Sequence, residues 1–446
     1  MKLARLLIFI CAFFPLSANA KLAISSWQES AQLTAAGKSS EIVIRGRVRD
    51  LPANSAMSSF TISFDPRQTI KIIRVINDNR LADFAVSADY SFSGNALTIK
   101  FPKAKTNGEE VSVYFSYDET YEKLNQFLRH EAIYVPAFAA GAKATVTFNF
   151  PGYFESATFN PNITKSGNSF VYSNVVPANG VEEIIKLTPA RSVWDVSVKT
   201  KISSGKALGK LTVKVPTFFR SAHQKVENYN ISSDVAPLQQ TGTSDLKSLS
   251  FNTTQQQLVV SNNARVTTGL ANRRTLARNA ADYINVSAEE SNLLSTMLQQ
   301  IKSDPRYGNI PLYAKIGKFV NEYLHYDIRY LGKLPSLPEI IQNRVGVCTE
   351  YARLFDALAR LAGIPSVIVD GAACGEYSEC QGHSWNIIYQ NGQWLEVDPT
   401  WNLMSGIVSS SHVYFNDVGK GETGVEYFDR EEGLKIKVDL EMKNVL

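Results

Sequence analysis

Two hydrophobic periods divide the chain. From about Lys21 to Pro216 apolar and polar residues alternate, as in Phe60-Thr61-Ile62-Ser63-Phe64, Leu97-Thr98-Ile99-Lys100-Phe101 and Thr145-Val146-Thr147-Phe148-Asn149-Phe150. The signal repeats over residues 193–198 and 211–215. A period of two, bounded by Gly, Pro, Asn and Asp, predicts half-buried antiparallel strands. The length suits two β-sandwich-like domains, over residues 21–130 and 131–216. Residues 217–284 then turn polar, with a Gln255-Gln256-Gln257 run and one apolar triplet, Leu258-Val259-Val260. This stretch reads as a polar linker or a small β unit.

Beyond it the period becomes 3.6. Ser287 followed by Glu290 is a capping box, and Leu294, Met297, Leu298 and Ile301 line one helix face after it. A second amphipathic helix runs from about Pro311 to Tyr323. A third starts near Cys348, carries Tyr351, Leu354, Phe355, Leu358 and Leu361 on its apolar side, and stops at Gly363 and Pro365. Residues 366–370 read as a buried strand. The pattern therefore predicts a multidomain chain, all-β first and α+β over 285–446.

Composition narrows the class. Hydrophobic residues make up 44% and charged residues 20% of the 446, enough for a sizeable core, so wholesale disorder is excluded. With 46 basic and 42 acidic side chains the net charge is +4, which points to neither nucleic acid nor an anionic membrane surface. Arg265, Arg273, Arg274 and Arg278 form a loose basic stretch without interleaved aromatics, a solvated surface rather than a stacking platform. Residues 1–20 read as a secretory signal: Lys2 and Arg5, an apolar run from Leu6 to Phe14, then Ala18-Asn19-Ala20 for cleavage. The run is well short of the ~20 residues a spanning helix needs, and no later stretch qualifies. Cleavage removes two positive charges and Cys11, leaving 44 − 42 = +2 and three cysteines, Cys348, Cys374 and Cys380. Export places them in an oxidising compartment, periplasmic or extracellular, where an odd thiol is a candidate reactive group.

That thiol is Cys348. At a helix start it meets unpaired backbone amides and the positive end of the helix dipole, which favour the thiolate. Asn391-Gly392 suits a type I′ hairpin turn, which pairs Gln390 with Gln393 and sets Trp385 opposite Asp398. In that register His383 and Asp398 are diagonal neighbours on one sheet face, ~7 Å apart at the backbone. Asp398 can then hold one imidazole nitrogen while the other serves as a base. A His-Glu-x-x-His zinc motif, a phosphate-binding Walker loop, a Gly-x-Ser-x-Gly elbow and a dinucleotide fingerprint are all missing from the sequence.

Residues Gly346-Val347-Cys348-Thr349-Glu350-Tyr351-Ala352, Leu361-Ala362-Gly363-Ile364-Pro365, Gly382-His383-Ser384-Trp385-Asn386 and Trp394-Leu395-Glu396-Val397-Asp398-Pro399-Thr400 resemble the transglutaminase-like core, a family of papain-like cysteine enzymes. The resemblance covers about 285–405. It implies Cys348 as nucleophile, His383 as general base and acid, and Asp398 as the residue that orients His383. Many relatives carry a Trp upstream of the cysteine as an oxyanion donor, whereas here no Trp lies between Trp194 and Trp385. The Cys348 backbone amide can supply one donor; Tyr326 and Gln342 are candidates for the second. Cys374 and Cys380 flank a short loop just before His383 and are expected to form a disulfide; a metal site made by both with His383 is the competing arrangement. The expected function is a secreted, cofactor-free acyl-transfer enzyme acting on protein or peptide amides, those of the cell envelope among them, with hydrolysis favoured over cross-linking to amines. A non-catalytic binding module on the same scaffold is the rival reading.

Overall fold

The computed structural model describes residues 21–445 except 35–36, 65–67, 77–79, 82, 90–93, 121–128, 151–153, 217, 219–223, 243–245, 270–278, 376–379, 418–423 and 428–433. The signal segment 1–20 and Arg273, Arg274 and Arg278 lie outside the described residues. The chain divides into two compact units, one of Met1–Leu124, His130–Phe154 and Asn160–Ile185, the other of Asn125–Arg129, Glu155–Phe159 and Lys186–Leu446.

In the first unit, strands Lys21–Leu33 and Gly37–Arg49 form a long antiparallel pair at the middle of an eight-stranded sheet. Lys143–Asn149 joins them in parallel, with Trp27 opposite Ala144. The alternation anticipated these strands but not their partners. Residues 21–130 and 131–216 are therefore not two separate domains, because strands from both share this sheet. Period-two alternation reports which face of a strand is buried and says nothing of which strand lies beside it.

The second unit begins with a β-sandwich. One sheet is ordered Gln224–Ser233, Gln257–Thr268, Ser192–Ser203, Lys435–Asn444; the other Gln239–Gly242, Leu246–Thr253, Gly209–Pro216, Gly424–Tyr427. Ile202, Leu258 and Val260 of the first pack against Leu211, Val213, Leu249 and Phe251 of the second. The polar segment 217–284 is thus largely sheet rather than linker, and the boundary expected at 216/217 falls within a sandwich. Gln239, Gln240 and Asn252 face solvent on its strands, whereas Val226, Leu249, Phe251, Leu258 and Val260 are buried. The sandwich is completed by residues 424–427 and 435–444, so the region 285–446 is not closed on itself either.

Between those sandwich strands lie, among the described residues, four α-helices and a further antiparallel sheet. Helix α1 (Ala288–Ser303) opens on the expected capping box: Ser287 Oγ accepts the Glu290 N–H at 3.1 Å, and Glu290 Oε2 accepts the Ser287 N–H at 3.0 Å. Helices α2 (Leu312–Tyr323) and α4 (Cys348–Leu361) occupy their expected positions, and Gly363 closes α4 in the left-handed region at φ 80°. Leu294, Leu298 and Ile301 of α1 and Ile316 and Val320 of α2 surround Leu354, Phe355 and Leu358 of α4. Each such side chain contributes about 1.5–3 kcal/mol on burial. Helix α3 (Leu337–Asn343) is too short to show a helical period.

The sheet runs Gln393–Val397, Cys380–Gln390, Ser366–Cys374, Val413–Asp417. The strand Ser366–Cys374 packs tightly between its two neighbours at Gly371. A Cβ there would lie 2.0 Å from the Val413 carbonyl oxygen and 2.7 Å from the Trp385 ring. Gly371→Ala is expected to lower unfolding free energy by about 2–3 kcal/mol, the cost of overpacking a rigid core. Gly205→Ala, where nothing lies within 4 Å of the new Cβ, should stay within about 0.5 kcal/mol. Urea titration of both variants checks the contrast.

Candidate active site

Cys348 is the first residue of α4, and its approach is built by its neighbours. Residues Val345–Gly346 pair in parallel with His325–Tyr326, which brings Tyr326 beside Gly346. The buried Glu350 then folds back, its Oε2 accepting the Val347 N–H at 2.8 Å. That return needs Gly346, since a Cβ there would lie 2.4 Å from the Glu350 Cβ. Cys348 is left at the helix start, where the first amides have no intrahelical acceptor. It is buried, and it is the free cysteine among the described residues.

The hairpin has the register expected of it. Gln390 pairs with Gln393 and Asn386 with Val397, around Asn391 (φ 51°) and Gly392 (φ 77°). Ladder pairing stops at Val397, and Asp398 turns inward on a local bridge with Leu403. Its Oδ2 lies 2.9 Å from His383 Nε2. Its Oδ1 accepts the N–H groups of Thr400 at 2.8 Å and Trp401 at 3.2 Å. The Trp401 ring stacks on the His383 imidazole at 4.4 Å between centroids and 18° between planes.

A second histidine, His412, completes the group. Its Nε2 lies 3.3 Å from the same Asp398 Oδ2, and its Nδ1 lies 3.0 Å from Ser409 Oγ. Donor atoms of His383, Asp398 and His412 all fall within 4.8 Å of one another, a spacing a cation could bridge. Direct hydrogen bonds already account for each of those atoms. Cys374 and Cys380 form the expected disulfide, which removes both sulfurs from the alternative metal site with His383.

The electrostatics follow from this geometry. Burial pushes the Cys348 thiol up, but the hydrogen bond and charge of His383, with the Ser384 N–H, more than reverse it and hold the thiol below its ordinary pKa. Burial pulls the His383 imidazole down; the Asp398 carboxylate, and Cys348 after it, raise it well above its ordinary value. Burial raises Asp398 in turn, and His383 and His412 hold it far below the usual carboxylate range. For His412 burial prevails, aided by the charge of His383, and the ring is kept neutral. The shifts favour an ionised thiol beside a protonated imidazole, both buried with one carboxylate. Because Nε2 of His383 is committed to Asp398, the tautomer is assigned with Nδ1 toward the sulfur.

Tyr326 is partly buried next to the thiol. Its hydroxyl is pushed up to about 12, by burial first and then by Cys348 and Asp398, and it shares a hydrogen bond with Gln381. Gln342 lies exposed on α3.

Residues 300–399 match the model of the transglutaminase-like superfamily. This stretch is a transglutaminase-like core. Over 143 residues, 30% of this chain, it is 27% identical to the kyphoscoliosis peptidase of Mus musculus; over 141 residues, 29% of this chain, it is 26% identical to that of Homo sapiens. The match covers 21% and 20% of those proteins, so the chain spans about a fifth of the length of the curated relatives it matches. Among solved structures, a candidate cysteine protease from Cytophaga hutchinsonii aligns over 57% of this chain and 91% of its own, with 14% identity and a TM-score of 0.44.

The transglutaminase-like core thus gathers Cys348, His383, Asp398 and Tyr326, and leaves Gln342 outside. Sequence reasoning missed His412 and Trp401. His412 follows the polar run Ser409-Ser410-Ser411, with no periodic pattern to mark it as buried. Trp401 sits three residues past Asp398, where its value depends on a turn the register cannot extend to.

The pKa shifts fix a pH window for stability. Asp398 is depressed, so its contribution is full above the ordinary carboxylate value near 4 and fades as pH falls below it. His383 is raised, so its contribution is full below about 6.5 and is lost only as pH climbs past neutrality toward the raised value. Asp398→Asn is expected to cost about 3 kcal/mol near pH 6, as removing one partner of a buried pair does. The gap from wild type should narrow on both the acid and the alkaline side, as read by denaturant unfolding across pH.

Proposed function

We propose that this chain is a cysteine-dependent acyl-transfer enzyme that hydrolyses amide bonds of peptides or proteins. The observation that carries the reading is the alignment of a depressed Cys348 thiol, a raised His383 imidazole and the buried Asp398 carboxylate 2.9 Å from it. The peptidase name borne by relatives of this segment agrees with it.

In this mechanism the Cys348 thiolate attacks the amide carbonyl carbon, and the carbonyl π pair moves onto oxygen. The free amide of Cys348, at the start of α4, donates to that oxyanion. Collapse breaks the C–N bond, and the departing nitrogen takes the proton from His383 Nδ1. The thioester left on Cys348 is opened by water, whose proton passes to the now neutral His383 while the thiolate leaves. Asp398 keeps its charge throughout and holds the ring in position. A primary amine in place of water gives a cross-linking transamidase with the same residues.

The Cys374–Cys380 disulfide and the Ala18-Asn19-Ala20 pattern support export to a periplasmic or extracellular setting, with cell-envelope polypeptides as substrates. Among the described residues no helix is long and apolar enough to cross a membrane.

Incubation with p-nitrophenyl acetate should release a burst of nitrophenol and leave an acetyl group on Cys348, found by peptide mapping, that water removes. Cys348→Ala and His383→Ala should lower the burst rate at least a hundredfold. Resolution of the acyl group by an added primary amine in preference to water would replace hydrolysis with transamidation. A wild-type chain that acquires no acetyl group on Cys348 would overturn the enzymatic reading in favour of a binding module.

A further inference from the structure

His412 is completely buried, yet it is built into its place more firmly than packing requires. Its Nε2 meets the same Asp398 Oδ2 as His383, at 3.3 Å against 2.9 Å, with the two rings edge to face and 5.5 Å between centroids. A neutral ring facing a carboxylate must carry its proton on that Nε2. Its Nδ1 lies 3.0 Å from the Ser409 hydroxyl and 3.2 Å from the Ser409 carbonyl oxygen, which hold the other end of the ring. The ring stands edge-on to Trp385 at 5.0 Å and Trp401 at 5.1 Å, the two indoles that stack with His383.

The segment that carries His412 is clamped by Thr188 and by two strands of the sandwich. Thr188 Oγ1 accepts the Ser410 N–H at 2.7 Å, and the Trp194 indole N–H donates to the Ser410 carbonyl at 2.9 Å. The Gln224 amide exchanges two hydrogen bonds of 2.8 Å with the Tyr414 backbone. Ser411 Oγ donates to the Cys374 carbonyl at 2.9 Å, beside the disulfide. The segment is held on both sides of His412.

We propose that His412 is a fourth member of the site, a positioning residue that holds the Asp398 carboxylate in the plane of His383 and joins the site to the sandwich. The inference rests on the acyl-transfer reading and adds a residue to it. The amides of Thr400 and Trp401 pin only Oδ1 of Asp398, leaving the carboxylate free to swing about that oxygen. His412 gives Oδ2 a second partner beside His383, and as a neutral donor it does so without placing a second positive charge beside the imidazolium. Without it, a buried oxygen keeps one donor, the carboxylate drifts from His383, and the ion pair with Cys348 weakens. The charged or titratable groups around His412 are Asp398, His383 and, farther off, Glu396.

The test is the rate of Cys348 alkylation by iodoacetamide across pH, on the full chain, with melting curves to confirm folding. His412→Phe, which keeps an aromatic ring of similar size, should lower the rate at neutral pH about tenfold and raise the acid-side midpoint, as loss of an outer partner does. His412→Gln, whose amide N–H can reach Asp398, should restore the rate to within about threefold of wild type. A His412→Phe profile that matches wild type, or equal loss in the Gln variant, would sink the proposal. Should His412→Phe not fold, Ser409→Ala decides: a midpoint shifted upward supports the role and an unchanged one refutes it. A wild-type thiol that reacts no faster than a peptide thiol fails the acyl-transfer reading instead. In that case the His383 titration followed by NMR in Cys348→Ala still shows whether His412→Phe disturbs the Asp398–His383 pair.

Discussion

A carboxylate without contact with water must have every lone pair answered from the protein, and Asp398 meets that condition with four donors. Two backbone amides bind one oxygen and two imidazoles bind the other. Removing a charge from water costs several kcal/mol, and the cost is offset only where hydrogen bonds and an opposite charge are already in position. The requirement propagates outward. The Asp398 charge favours a protonated His383, His383 in turn favours an ionised thiol, and burial disfavours a charge on His412. The strands, the turn after Val397 and the segment 409–414 can be understood as the framework that keeps those groups at hydrogen-bonding distance.

The framework draws on residues far apart in the chain. The last strand, Lys435–Asn444, lies beside Ser192–Ser203, with Trp194 opposite Asn444 and Ile202 opposite Ile436. Trp194, at the start of that same strand, reaches the backbone of Ser410. The sandwich is therefore more than an appendage within this unit: it supplies the polar groups that seat the loop before the Val413–Asp417 strand. Gly371 permits that strand to close on its neighbour, and Gly346 permits Glu350 to cap the helix that presents Cys348.

How much of this can be read in the sequence depends on the range of the interaction involved. Local chemistry is legible. Ser287 and Glu290 announce α1, Asn391-Gly392 sets the hairpin register, and that register carries His383 and Asp398 to one place. Cys348 at a helix start and the Cys374–Cys380 pair are visible on similar grounds. Partnerships between distant segments are not legible. The parallel pairing of Lys21–Leu33 with Lys143–Asn149 merges two regions that alternation alone sets apart, and the polar residues of 217–284 conceal strands whose buried positions are every second one. His412 is hidden for the same reason. It lies against Asp398, Trp385 and Trp401, and Thr188, Trp194 and Gln224 hold the adjoining Ser410 and Tyr414, none of them its neighbours in sequence.

On this account Cys348 and His383 rest as a thiolate–imidazolium pair supported by Asp398. The most direct measurement is the ultraviolet thiolate absorbance of wild type minus Cys348→Ala, followed from mildly acidic to mildly alkaline pH in the oxidised protein. One thiolate per chain is expected already at neutral pH, appearing well below the ordinary thiol pKa of about 8.5, and moved upward when Asp398 is replaced by Asn. A thiolate signal that appears only near the ordinary value, and does not respond to Asp398→Asn, would contradict it.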